Sequence, residues 1–304
     1  MSNANLPQTQ QKPKFSVAIT TKGYQNLINN TLGDPDRAKR FIAAITSAVA
    51  VNPALQDCEA GTILAGALLG ESLNLSPSPQ LGQYYLVPFK SKAKTDKSTG
   101  QVIEPECTKA TFVLGYKGYI QLALRSGAYA DLDVIEIHEG EYKGKNQHTG
   151  KPQFCFVEDD DEREKLPVIG YMAYFEYLNG FRKVIYWSKS KMMSHADQYS
   201  PAYSASAHQK ILAGEIADKD MWKYSSFWYK DFDGMAKKTL LRQLISKWGI
   251  MSTEMQQAFT NDGSMAEVVN GNEIVTTPEL KLPPPVNTEP EATEVVEQVD
   301  LSDL

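Results

Sequence analysis

Five runs rich in β-branched and aromatic residues crowd the middle of the chain: GQYYLVPF (82–89), KATFVLGY (109–116), ADLDVIEIHE (130–139), LPVIGYMAYFEY (166–177) and FRKVIYWS (181–188). Residues of these types fit a pleated, half-buried surface, so each run reads as a strand. Leu178-Asn179-Gly180 separates the last two and reads as a hairpin turn. On both sides of this block the spacing becomes helical. Asp34-Pro35 has the cap-then-proline form of a helix start, and DRAKRFIAAITSAVAV behind it carries apolar residues at helical spacing. Asp57 is placed to cap a second helix that ends before Ser76-Pro77-Ser78-Pro79. Two further helical patterns lie in 117–126 and 228–248. Helices at each end of a strand-rich middle predict an α+β fold, a small antiparallel sheet with packed helices. There is no internal repeat.

The ends of the chain differ in composition. Residues 1–14 are rich in Gln, Asn and Pro, and the stretch from Thr276 onward is rich in Pro and Glu. Neither has enough apolar surface to offset the entropy of ordering. The expected organisation is a flexible N-terminal arm over 1–34, a core over 35–255, and an acidic, mostly disordered tail over 256–304. No apolar run reaches the ~18 residues that span a bilayer, and the polar N-terminus lacks a signal-peptide core. Cys58, Cys107 and Cys155 are odd in number and widely spaced. They read as reduced thiols in a soluble cytoplasmic protein.

The formal net charge of −6 argues at first against an anionic partner. The charge is unevenly distributed, however. Residues 253–304 hold eleven acids against the single Lys281, whereas residues 1–252 hold 30 Lys and Arg against 26 Asp and Glu. The part able to fold is mildly basic.

Catalytic signatures are sparse. There is no G-x-x-x-x-G-K-[ST] loop for a nucleotide triphosphate, since His148-Thr149-Gly150-Lys151 is followed by Pro152 and lacks the upstream glycine. His138, His148, His195 and His208 show no metal-binding spacing, and no C-x-x-C pair exists. The run Glu158-Asp159-Asp160-Asp161-Glu162 is the best candidate for metal-dependent nuclease chemistry. A two-metal site, though, gathers carboxylates from several elements around ions about 4 Å apart, and contiguous acids point in different directions. A solvated loop is the simpler reading.

The basic residues fall in long windows free of Asp and Glu. Lys90, Lys92 and Lys94 lie between Glu71 and Asp96, and Lys109, Lys117 and Arg125 lie between Glu106 and Asp131. Arg182, Lys183, Lys189 and Lys191 lie between Glu176 and Asp197, and Lys237, Lys238, Arg242 and Lys247 between Asp233 and Glu254. Surface where cations are not neutralised locally is what a polyanion needs, because its binding releases condensed counterions. Lys117, Gln121 and Arg125 fall at i, i+4 and i+8 on one helical stripe. Lys238 and Arg242 are i, i+4 neighbours with no acid nearby in sequence. Such a pair costs a few tenths of a kcal/mol, which an anionic ligand can offset. Lys237 shares a helical sector with Leu241, Leu244 and Trp248. It either snorkels or places its ammonium at the floor of a groove. Tyr84, Tyr85, Tyr116, Tyr119, Trp187, Phe227, Trp228 and Tyr229 accompany the cations, and one or two of them are expected to stack on bases.

LGQYYLVPF (81–89), FVLGYKGYIQLALRSG (112–127) and DGMAKKTLLRQLISKW (233–248), in that order, resemble the RecT/Red-beta family of phage single-strand annealing recombinases. The likeness covers roughly residues 35–250. It implies ATP-independent binding of single-stranded DNA and annealing of complementary strands in homologous recombination, by an oligomer or helical filament, with no covalent chemistry. It also implies a partner 5′→3′ exonuclease, and a host single-strand-binding protein as a further partner. No cofactor is required, with Mg²⁺ at most a modulator. By the same analogy Lys117, Arg125, Lys237, Lys238 and Arg242 become candidate DNA contacts, and Lys109, from its acid-free window, and Gln121, from the helical stripe, join them. The alternatives are a passive binder of single-stranded nucleic acid and a metal-dependent nuclease.

Overall fold

The computed structural model describes residues 13–91, 93–95, 102–104, 106–269 and 273–277. The chain opens with helices α1 (Phe15–Ala18), α2 (Lys22–Leu32), α3 (Pro35–Val51) and α4 (Ala60–Ser72). Strands β1 (Tyr84–Ser91), β2 (Lys94–Thr95), β3 (Val102–Glu104) and β4 (Cys107–Leu114) lead into α5 (Tyr116–Arg125). Then come β5 (Tyr129–His138), β6 (Tyr142–Lys145), β7 (Pro152–Phe154), α6 (Asp160–Arg163), β8 (Val168–Tyr177) and β9 (Arg182–Ser188). The C-terminal part holds α7 (Lys189–Tyr199), α8 (Ala205–Leu212), α9 (Phe227–Lys230), α10 (Phe232–Trp248), α11 (Thr253–Asn261), β10 (Met265–Val269) and β11 (Glu273–Thr277).

The expected α+β class is what forms. The five strand runs become β1, β4, β5, β8 and β9, but they divide between two antiparallel sheets. β1 pairs with β4, Tyr84 opposite Leu114, and β8 sits between β5 and β9. The turn at Leu178-Asn179-Gly180 closes the β8–β9 hairpin, with Gly180 at φ 82° and Tyr177 N–H bonded to Phe181 O at 2.9 Å. On one face of the three-stranded sheet Leu132, Val134, Tyr171, Ala173 and Phe175 are buried. They join one core cluster with Leu240, Leu241, Leu244 and Ile245 of α10. Each Leu, Ile, Val or Phe among them contributes about 1.5–3 kcal/mol on burial.

Asp34 caps α3 as expected, its Oδ1 accepting from Asp36 N–H at 2.8 Å and Arg37 N–H at 3.2 Å. Asp57 does not cap α4. It ends a 3-10 turn, Pro53–Asp57, and the helix begins after Glu59. β4 sets this offset by drawing the chain across: Glu59 N–H bonds Thr108 O at 2.8 Å.

Both expected domain boundaries move outward. Residues 15–32 are not a free arm, because Phe15, Ile19, Leu27 and Ile28 are buried in the same core cluster as Phe41 and Ile45. Phe15 with Ile19 just past α1, and Leu27 with Ile28 on α2, face inward where these helices meet α3. At the other end α11 continues past residue 255, and Met265 and Ala266 are buried. The first twelve residues and the acidic stretch from Pro278 lie outside the described residues. Among the described residues no helix is long and apolar enough to cross a membrane.

Candidate nucleic-acid interface

α10 starts at Asp231, whose Oδ1 accepts from Gly234 N–H at 2.9 Å, and runs along the three-stranded sheet. Its residues Lys238 and Arg242, one turn apart, point at a single buried carboxylate. Asp262 Oδ1 accepts from Lys238 Nζ at 2.8 Å and from Leu114 N–H at 2.9 Å. Its Oδ2 accepts from the Tyr119 hydroxyl at 2.8 Å and from Arg242 Nη1 at 3.1 Å. Four donors on two oxygens satisfy the acid fully. The node ties α10, α5, β4 and the end of α11 together. Burial pushes the Lys238 ammonium's pKa down, with Asp262 opposing the shift. Burial pushes the Tyr119 phenol well up, and the Asp262 charge adds to it.

Lys238 and Arg242 are therefore not the unpaired cations that their sequence window implied. Lys238 is interior. Arg242 is half-buried over the Phe259 ring, 5.0 Å from its centroid, and lines a cleft of about 380 Å³ with Gln243, Ser246, Met251 and Gln256. Asp262 escaped sequence reading because it falls in the stretch assigned to the acidic tail. Asn261-Asp262-Gly263 followed by SMAEVV, a turn before an apolar run, was the available signal.

Lys237 also has a partner. Its Nζ lies 2.8 Å from Glu136 Oε1 on β5 and over the Tyr116 ring, 5.3 Å from the centroid. Burial is the largest influence and opposes the charge, but the Glu136 hydrogen bond and charge, with Tyr116 and Asp233, together outweigh it and hold the ammonium above its ordinary pKa. On α5 the stripe Lys117, Gln121 and Arg125 forms as expected, with Lys117 and Arg125 exposed and Gln121 half-buried. Arg125 reaches across to the C-terminal end of α4, its Nη1 2.9 Å from Leu73 O and its Nη2 2.8 Å from Asn74 O. Lys109, half-buried on β4 opposite Phe89, sits five residues before the strand's end at Leu114, roughly 16–17 Å along it. The seven candidates thus divide into an exposed stripe, an interior node with Lys237 at its side, and one distant strand position.

Elsewhere the fold joins two of the acid-free windows. The α10-facing side of β9 carries Lys183, Ile185 and Trp187, and the end of α10 brings Lys247 and Trp248 to it. Lys183 Nζ lies over the Trp248 ring at 4.2 Å from its centroid, and Lys247 Nζ at 5.9 Å. Lys191 of α7 lies over Trp187 at 4.4 Å. Burial lowers the Lys191 pKa, and the charges of Lys145 and Lys247 lower it further. Trp248 is 37% exposed. None of Lys145, Lys183, Lys191 and Lys247 makes an ion pair with a described carboxylate. The windows had drawn attention to Lys183, Lys191 and Lys247, though not to Lys145, but helical and strand periods alone gave no reason to place them together. The acidic run at 158–162 is exposed and opens the short helix α6 instead of forming a loop, its N-cap Asp159 Oδ1 accepting from Glu162 N–H at 3.0 Å.

Comparison with known proteins places these elements in context. The model of the RecT family matches residues 39–276. The chain is 33% identical to the uncharacterized protein YqaK of Bacillus subtilis (strain 168) over 266 residues, 88% of this chain and 78% of that protein. It is 25% identical to the protein RecT of Escherichia coli (strain K12) over 239 residues, 74% of this chain and 71% of that protein.

Proposed function

The chain belongs to the RecT family, and from that premise we propose that it binds single-stranded DNA and anneals complementary strands in homologous recombination, without ATP and without covalent chemistry. The observation that carries the reading is the extent of the family match. Residues 39–276 include every acid-free window and the Asp262 node that ties its helices together. In this mechanism exposed cations hold one strand by its phosphates and leave the base edges open to a second strand. Pairing between the strands supplies sequence specificity. Copies of the chain assemble along the DNA as an oligomer or filament, so many short sites act together and correct duplex is retained by avidity. A 5′→3′ exonuclease supplies the exposed strands, a host single-strand-binding protein is a further partner, and Mg²⁺ acts only as a modulator. The cytoplasm of a bacterial host is the setting. The exposed Lys117 and Arg125 on α5, with Gln121 between them, are the predicted phosphate contacts that fit the geometry best. Lys109, Lys237 and Arg242 follow, and the interior Lys238 acts through the fold.

The test mixes two complementary oligonucleotides, one carrying a fluorophore and the other a quencher, with and without the protein. Faster pairing with the protein, equal in the presence and absence of ATP, supports the reading. A protein that binds strands without accelerating their pairing is a passive binder. Shortening of end-labelled DNA in Mg²⁺ or Mn²⁺ identifies a nuclease instead.

A further inference from the structure

The β9, α7 and α10 wall has the composition of a binding site for single-stranded DNA, and it is separate from the α5 stripe. Three features of it converge. Three lysines from three elements, Lys183 of β9, Lys191 of α7 and Lys247 of α10, lie over two indole rings without a described carboxylate to pair them. Lys191 is repelled by Lys247, and by Lys145 of β6, both of which disfavour its charge. Two indole rings lie among them, and one, Trp248, is substantially exposed at a helix end. A fold keeps such an arrangement at an electrostatic cost that a polyanion removes on binding.

Two acids of the same sheet are committed elsewhere. Glu136, on the same sheet face, pairs with Lys237, and Glu176 pairs with Arg182 at 2.8 Å on the opposite face. The lysines rest on ring faces by cation–π attraction, which at exposed positions is worth only about 0.5–1 kcal/mol. They can therefore leave the rings for phosphates at little cost. An indole uncovered in this way offers a flat apolar face to a base.

We infer that the juxtaposition of Lys183, Lys191 and Lys247 with Trp187 and Trp248 is a single-strand platform, on which the lysines take backbone phosphates and Trp248 stacks on one base. This rests on the functional reading above and gives it a second contact region, at positions outside the α5 stripe and the Asp262 node. Stacking is indifferent to base identity, as annealing of arbitrary sequences requires. Duplex DNA has its bases stacked on one another and cannot use the ring.

The experiment is a fluorescence titration of the full chain with oligothymidylate. The four tryptophans are Trp187, Trp222, Trp228 and Trp248. Quenching is expected with oligothymidylate, to be strongly reduced with an abasic strand of equal length, and to be lost largely in Trp248→Phe but retained in Trp222→Phe. Trp248→Ala should weaken binding by between about 5- and 150-fold, the range for one stacked base. Lys191→Gln with Lys247→Gln, both exposed positions where folding is not at stake, should reduce the salt-dependence slope by about 1.4, or about 0.7 per contact. If the wild-type chain binds oligothymidylate but both variants keep its affinity and slope, the platform is refuted and the functional reading stands. Failure of the wild-type chain to bind oligothymidylate at all overturns the functional reading itself.

Discussion

Lys238 and Asp262 are 24 residues apart in sequence and 2.8 Å apart in space, and both are buried. The pair joins the middle of α10 to the residue that ends α11. Its acid also takes hydrogen bonds from β4 and α5. Removing one side of a buried pair strands the other without water, which costs far more than the pair contributes relative to an apolar replacement. Asp262→Ala should therefore destabilise the protein by about 3–5 kcal/mol. Lys238→Met should cost less, because Asp262 keeps Leu114, Tyr119 and Arg242 as donors. Urea unfolding midpoints of both variants measure this. Equal losses would mean that Asp262 is not the centre of the node.

Gly115 and Gly118, the glycines of the Gly-Tyr-Lys-Gly motif, have a steric role. A Cβ on Gly115 would lie 2.1 Å from Gly82 O, and one on Gly118 would lie 2.1 Å from Gln83 O. Both obstacles are backbone carbonyls at the entry to β1, and neither can swing aside. Gly118→Ala should cost at least about 1–3 kcal/mol, the usual range for overpacking, despite alanine's better helix propensity. A melting temperature equal to wild type would show that the first turn of α5 is not wedged against β1.

What could be read in the sequence follows the range of the interactions. The strand runs, the Asn-Gly turn, the Asp34 cap and the period of α5 are local, and they form as expected. The Lys238 and Arg242 pairing was invisible for the opposite reason. An acid-free window shows only neighbours in sequence, and the neutralising acid arrives from 20 to 24 residues downstream. Lys237 is neutralised from still further away, by Glu136, 101 residues upstream. The Lys183, Lys191 and Lys247 windows were legible as basic, yet the sheet order that brings β9 against α10 was not.

Burial lowers the pKa of both His208 and His195, and the larger shift belongs to His195. Its ring is buried between Trp187, 5.1 Å away, and Tyr199, 4.7 Å away. Burial, with the nearby Lys191 charge, pulls its pKa down to about 4. An unfolded histidine titrates near 6.5. Between these values the unfolded chain holds more protons than the folded one, so stability rises with pH. The contribution is fully present above about pH 6.5 and is lost as pH falls toward 4. Replacement of His195 by Phe should flatten the stability profile across this window. An unchanged slope between pH 4 and 6.5 would assign the dependence to other groups.

Lys117 and Lys238 should behave oppositely toward DNA. Both lie in acid-free windows, and their sequence surroundings do not tell them apart. In the fold, Lys117 is exposed on the α5 stripe, whereas Lys238 is interior and bonded to Asp262. A phosphate contact shows itself in the dependence of log affinity on log salt, with each one lost lowering the slope by about 0.7 for a single strand. Lys117→Gln should lower that slope for every oligonucleotide sequence and leave the unfolding midpoint near wild type. Lys238→Met should shift the midpoint and leave the slope unchanged under conditions where the variant is folded. Fluorescence anisotropy of a labelled oligothymidylate across a salt series, paired with urea unfolding of the same preparations, separates the two effects. A reduced slope for folded Lys238→Met would mean that the Asp262 pair opens on binding and releases its lysine to the DNA. An unchanged slope for Lys117→Gln would remove α5 from the strand path.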